Sequence, residues 1–189
     1  RVILALVATP LFLYLFVRIE RATPHPLLPL EFLTRRNFTF PLLTGFLMQF
    51  AYMGGFIISP LIMLGMFGLN QISVSMWTIL RPISLSATSP VGGSLGAKFG
   101  ERTMIIAGSV FVLGAMLAFA VGAAAQSMMA IVAGLVLAGM GMGLAQPSLS
   151  TMVASSVAEQ DHGIAVSTMS TTTGIGAVFG ISILTAVIG

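Results

Sequence analysis

Long apolar stretches separated by short polar ones run the length of this chain. A helix crossing the roughly 30 Å hydrocarbon core of a bilayer needs about 20 apolar residues. Six segments meet or approach that length: 2–17, 38–58, 72–95, 103–124, 128–155 and 163–189. The first is slightly short and ends in Tyr14 and Phe16, aromatics suited to a membrane interface, followed by Arg18. No strand-like alternation interrupts the series, and backbone groups in lipid must be satisfied within each helix. The pattern therefore predicts an all-α, polytopic transmembrane helix bundle of about six spans.

The connections carry the second signal. The longest, residues 18–37, holds four arginines and three prolines; Leu27, Leu28, Leu30, Phe32 and Leu33 among those charges suit a segment lying on the membrane surface. Residues 59–71 form an uncharged connection, and Ala125, Gln126 and Ser127 form a tight turn. Residues 92–102 read as a glycine-rich, basic loop in which Gly93, Gly96 and Gly100 let two helices approach and reverse. Residues 156–162 carry Glu159, Asp161 and His162. Arg18, Arg21, Arg35, Arg36, Lys98 and Arg102 all fall on the connections after odd-numbered spans, while Arg1 alone lies at the opposite face. Lysine and arginine are retained in the cytoplasm, so the odd connections are expected inside and the uncharged ones outside.

Composition agrees with that reading and removes other functions. The chain is 57% hydrophobic and 7% charged, with a mean hydropathy of +1.05. The net charge of +3 sits in the connections, where it reports topology and gives no support to nucleic-acid binding. With no cysteine, disulfides and thiolate chemistry are excluded. The chain opens at Arg1 and stops at Gly189 inside an apolar run, so we expect a piece of a longer protein.

The spacing Gly93-x-Leu95-x-x-Lys98-x-Gly100-x-Arg102 resembles the cytoplasmic loop signature of the major facilitator superfamily. Four further features resemble its fourteen-helix drug/proton antiporter branch. They are the run His25-Pro26-Leu27-Leu28-Pro29-Leu30 flanked by Glu20, Phe32, Arg36, Asn37 and Phe38; the ladder Gly139, Gly141, Gly143 followed by Pro147; Gly163 opening the last span; and Gly174, Gly176 and Gly180 inside it. Ala97 and Glu101 depart from the signature, standing where it has an acid and a base. The resemblance implies that residues 1–37 hold the last extra central helix plus a basic cytoplasmic linker. Residues 38–189 would then be an incomplete C-terminal transporter bundle of five spans. It further implies proton-coupled efflux of small amphipathic organic substrates in a bacterial plasma (inner) membrane. The partners it implies are protons, the lipid bilayer and an N-terminal bundle of the same chain that would carry the titrating acid.

Several residues are candidates for a substrate cavity. Gly45, Gln49, Tyr52 and Phe56 recur at helical spacing and share one face; Gln49 either lines a cavity or bonds a neighbouring helix. Gln146 stands beside Pro147, which frees the carbonyl of Gly143 and permits a kink. Ser167, Ser170, Thr171 and Gly174 make a small polar stripe. Arg81 is the one charge inside a span, roughly 14 Å deep counting from Ile72 at about 1.5 Å per residue. Such a charge must face protein or water. It either caps the Thr78 carbonyl that Pro82 leaves without a donor, or a neighbouring helix's carbonyl, while resting on Trp77; or it pairs with an acid of the other bundle or sets the field felt by substrate or proton.

Other chemistry is weak. Gly92-x-Ser94-x-Gly96 matches a nucleophile elbow in letters, but an elbow needs a strand before the serine, and an apolar helix is expected there. No Walker loop or H-E-x-x-H motif is present, and we expect no catalytic residue, metal or cofactor. The glycine pairs 139/143 and 176/180 permit close helix contact, within the chain or between copies. The thirteen methionines serve flexible packing or an adaptable binding wall. Alternative readings are a carrier for a specific metabolite, lipid or siderophore, and a non-transporting receptor or assembly subunit.

Overall fold

The computed structural model describes Arg18 and residues 32–188. The first span, His25 and most of the basic linker lie outside the described residues. From residue 32 the chain forms six α-helices, α1 (Arg36–Gly65), α2 (Gln71–Thr78), α3 (Leu80–Phe99), α4 (Glu101–Ala124), α5 (Met128–Ala154) and α6 (His162–Ile188), with single 3-10 turns at Phe32–Thr34 and Glu159–Asp161. No strand occurs among the described residues. Four helices (α1, α4, α5 and α6) are long and apolar enough to cross a membrane. α2 and α3 share the remaining passage, which returns the chain from the end of α1 to the start of α4.

Helix ends follow local chemistry. Asn70 caps α2 by accepting from the Ser73 N–H at 2.8 Å, and Ser127 caps α5 by accepting from Ala130 at 3.4 Å. Within the helices, serine and threonine hydroxyls donate back to carbonyls three or four residues earlier, as Ser59 does to Gly55 and Thr88 to Ser84. That keeps polar side chains satisfied where no water is at hand.

Two boundaries differ from the sequence expectation. α1 does not stop near residue 58 but runs to Gly65 through Ser59 and Pro60. Its last turns are apolar, and Met63 packs in a cluster with Val74, Phe119, Ile131 and Leu135. Burial outweighs the proline, whose lost donor is tolerable in a helix packed on neighbours. Nor is the glycine-rich stretch 92–102 a loop. α3 continues to Phe99, and the whole reversal is made at Gly100, whose φ of +91° suits glycine. Gly92 and Gly96 are helical because they touch α5: a Cβ on Gly92 would stand 2.7 Å from Leu144 Cα, and one on Gly96 2.6 Å from Ser148 Oγ.

α5 is the centre of the bundle. It packs most heavily on α4 and α3, while α1 pairs with α6 and also touches α5. Both glycine pairs make contacts within the chain. Gly139 and Gly143 lie against the α3 backbone at Arg81 and Leu85, and Gly176 and Gly180 lie against the α1 carbonyls of Phe46 and Phe50. α4 is peripheral: Ile106, Val110, Leu113, Leu117 and Val121 form an exposed apolar stripe at helical spacing, as lipid contact requires.

Candidate functional site

The α2–α3 passage is interrupted between Thr78 and Leu80. Pro82 has no N–H to offer the Thr78 carbonyl, so one helical bond is lost there, while Ile79 keeps helical dihedrals and the Ile79-to-Ser75 and Ile83-to-Ile79 bonds carry the chain across. Arg81 falls in the first turn of α3, at the positive end of that helix, where a cation is electrostatically disfavoured. It is nevertheless 1% exposed.

Two residues of α1 hold it there. The Arg81 guanidinium lies over the Tyr52 ring at 3.5 Å from the centroid and reaches the Phe56 ring at 5.4 Å. Its Nη2 donates to the Tyr52 backbone carbonyl. Tyr52 and Phe56 are four residues apart, so one helical face supplies both rings. A desolvated cation–π contact contributes about 2 kcal/mol and a hydrogen bond from a charged group about 1.5–3 kcal/mol, against an insertion cost of at least about 2.5 kcal/mol at mid-bilayer. These contacts are of the size needed to keep the charge inside the bundle. Nε and Nη1 have no hydrogen-bond partner. α5 closes the third side, where Gly139 lies against the Arg81 carbonyl and Ser84.

The carbonyl that receives Arg81 is a neighbouring helix's, that of Tyr52, one of the two alternatives the sequence offered. The supporting ring differs: Trp77 is 40% exposed, and Tyr52 and Phe56 take its place. The guanidinium turns to α1 instead, where two rings and a carbonyl receive it.

The structure brings together Tyr52, Phe56 and Arg81 from the cavity candidates. Their α1 face is graded. Gly45 is buried against Thr173 and Leu149, Gln49 and Tyr52 are half-buried, and Phe56 is half exposed. Gln49 makes no hydrogen bond to a neighbouring helix among the described residues. Gln146 is exposed on α5 and joins no contact with the cluster. Ser167, Ser170, Thr171 and Gly174 are all exposed on α6, with Ser167 and Thr171 donating to Ile164 and Ser167 of their own helix. Ser94 lies inside α3 and donates to Val91, so the elbow geometry is absent. No group of residues suited to hold a metal occurs among the described residues.

Of the loop signature, Gly93, Leu95 and Lys98 lie on α3, Gly100 forms the turn and Arg102 opens α4. One polar spot there was not foreseen. Glu101 Oε2 and Ser148 Oγ are both buried without a partner, and both border the space that a Cβ on Gly96 would fill. The available signal was the acid at a basic position of the signature, three residues short of an apolar run.

This helical plan, with glycine ladders packing on backbone and a basic reversal between α3 and α4, matches a known family model over nearly its full extent. The model is that of the Major Facilitator Superfamily, and it covers residues 2–189. The chain belongs to the major facilitator superfamily. Two curated proteins of Bacillus subtilis (strain 168) are similar to this major facilitator chain. One is the multidrug transporter protein MdtP, 31% identical over 174 residues, which are 91% of this chain and 32% of that protein. The other is the uncharacterized MFS-type transporter YvkA, 30% identical over 154 residues, 82% of this chain and 34% of that protein. The chain thus spans about a third of the length of the curated relatives it matches. No solved structure matches it. The all-α bundle is accordingly an integral membrane, major-facilitator architecture.

Proposed function

We propose that this chain is part of a carrier that exports small amphipathic organic molecules in exchange for protons, by alternating access, across a bacterial plasma membrane. The observation that carries this reading is the Tyr52–Phe56–Arg81 cluster: a buried cation holds two rings, of which Phe56 stays half exposed and Tyr52 partly so. Rings of that kind offer flat contact that tolerates varied amphipathic compounds, with Gln49 on the same helix face and Gln146, away from the cluster on α5, as further candidate cavity residues. Arg81 acts from behind the rings, setting their position and the local field. The similarity to a protein named as a multidrug transporter supports the breadth of substrate.

In this reading residues 1–37 are the last extra central helix and basic linker of a fourteen-helix carrier. Residues 38–189 are five spans of its C-terminal bundle. The exposed polar stripe of α6 and the graded face of α1 then look toward water or the N-terminal bundle, since polar groups are costly against lipid. The described carboxylates Glu101, Glu159 and Asp161 lie at helix ends, so the proton-carrying acid belongs to the N-terminal bundle.

Inverted vesicles containing the full-length carrier test the proposal. Structurally unrelated amphipathic compounds should each dissipate an imposed pH gradient, and Arg81→Gln should abolish most of that flux at normal expression. Arg81→Lys should recover part of it if charge suffices and little if the planar guanidinium is needed. Flux with a single metabolite only would favour the specific-carrier reading, and undiminished flux in Arg81→Gln would remove the cluster from the mechanism.

A further inference from the structure

At the cytoplasmic ends of α1, α4 and α5 lies an open groove of about 450 Å³. Arg36 and Asn37 form its rim on α1, and Arg102 faces them from α4. Phe40, Ile106 and Met152 are among its apolar walls further into the membrane. Arg36 and Arg102 are both exposed, and neither has an ion pair among the described residues. The one carboxylate beside them in sequence is turned away, with Glu101 Oε2 buried against Gly96 and Ser148. Both arginines stand in the first turn of a long helix. α1 has no side-chain cap and no acid in its first turn; the Phe38 and Thr39 N–H groups bond the Arg35 carbonyl, which leaves those of Arg36 and Asn37 to call for an acceptor.

Two cations at headgroup depth, with an uncapped helix start between apolar walls, match one kind of molecule. We propose that this groove is a binding site for an anionic phospholipid of the cytoplasmic leaflet. Arg36, Arg102 and the start of α1 hold the phosphate, while Phe40, Ile106 and Met152 receive the acyl chains. Charge complementarity selects this occupant: the cytoplasmic leaflet is the anionic one, and positive charge on this connection places the groove there. A free phosphate would use the rim but leave the apolar walls uncovered. The site is independent of the transport reading, since it lies at the membrane surface away from Arg81.

The full-length carrier, purified and delipidated, tests this by native mass spectrometry with added phosphatidylglycerol or phosphatidylcholine. Phosphatidylglycerol should be retained in preference to phosphatidylcholine. The double variant Arg36→Gln/Arg102→Gln should weaken phosphatidylglycerol binding about thirtyfold, from the loss of two surface cations. Arg35→Gln should change little, because Arg35 rests on the Phe32 ring outside the groove. The Arg36→Lys/Arg102→Lys variant should retain most of the binding if the fold is intact. Equal retention of both lipids, or full retention in the double Gln variant, would overturn the proposal. Millimolar inorganic phosphate should not displace the lipid; displacement would make this a phosphate site instead. A photoactivatable leucine analogue at position 106 should form a phospholipid adduct in native membranes. An adduct with residues 19–31 of the same chain would show that the groove is filled by protein and would also overturn it.

Discussion

α4 and the α2–α3 passage cross the same membrane by opposite means. α4 is unbroken from Glu101 to Ala124, with an apolar stripe turned outward. Its backbone is satisfied internally and its outer face needs nothing but lipid. The α2–α3 passage is broken at Ile79, carries a buried arginine, and borrows its stability from other helices: two rings and a carbonyl of α1, and a glycine face of α5. A span that needs its neighbours is one whose geometry its neighbours can change. On the proposed function, the α2–α3 passage is therefore the candidate for a moving or substrate-sensing part and α4 the candidate for a fixed wall.

The comparison first requires that the two passages run in opposite directions. Single cysteines at Asn70 and Gln126 should react with an impermeant maleimide from outside intact cells, while those at Thr34 and Lys98 should not. Asn70 caps α2, Gln126 follows α4, and Lys98 ends α3. The chain has no native cysteine, so the contrast is all-or-none. Labelling at Lys98 with silence at Asn70 would invert the orientation and move the basic groove to the outer leaflet.

Glycine-to-alanine changes separate the passages next. A Cβ on Gly139 would meet the Arg81 carbonyl and stand 2.8 Å from Ser84 Cβ. One on Gly114 of α4 would have only Leu137 Cδ1, at 3.9 Å. We expect Gly139→Ala to cost about 1–3 kcal/mol through overpacking, seen as a lower melting temperature of the full-length carrier. Gly114→Ala should be neutral or stabilising by up to about 1 kcal/mol, because alanine is the better helix former. Equal effects would mean that α3 adjusts freely against α5 and is not held by it.

The same contrast explains what could be read from the sequence. α4 was legible almost to the residue, because an uninterrupted apolar run with charges at one end has one solution. Arg81 was legible as a problem, a charge where none is tolerated alone. A neighbouring helix's carbonyl was one foreseen solution, but not which one or which rings, because Tyr52 is twenty-nine positions away and only packing joins the two. The helical nature of Gly92–Phe99 was hidden for a related reason. Glycines read as a loop in isolation, whereas here they are the surface on which α5 rests. Arg36 and Arg102 were each legible as topology signals, yet their sharing of one groove depends on α1 and α4 being neighbours.

A double-mutant cycle measures how much of the α2–α3 stability is borrowed. Tyr52→Leu removes the ring beneath the guanidinium but keeps the backbone carbonyl. Arg81→Met removes the charge. The interaction energy between the two changes should be about 2 kcal/mol, the value of a desolvated cation–π contact. The Tyr52→Leu protein should be less stable than the double variant relative to its own parent, because the single change leaves a buried cation without its ring. Additivity within about 0.5 kcal/mol would show that the ring contact carries no stability.

The smallest expected effect on stability is at Pro82, and it is the most informative about function. Pro82→Ala restores an N–H that can donate to the Thr78 carbonyl, which favours joining α2 to α3. The new hydrogen bond contributes about 0.5–1.5 kcal/mol, while losing proline's restraint on the unfolded chain costs about 0.4–1 kcal/mol. The two nearly cancel, so the melting temperature of the full-length carrier should shift little. Transport should fall all the same. The restored bond tightens the turn that carries Arg81, and a small displacement there loosens its contact with the Tyr52 carbonyl and the two rings. The α4 counterpart is Val110→Ala on the lipid-facing stripe, which should leave both stability and transport nearly unchanged. A Pro82→Ala carrier with full transport would show the interruption to be passive, and the two passages would then differ in sequence but not in role.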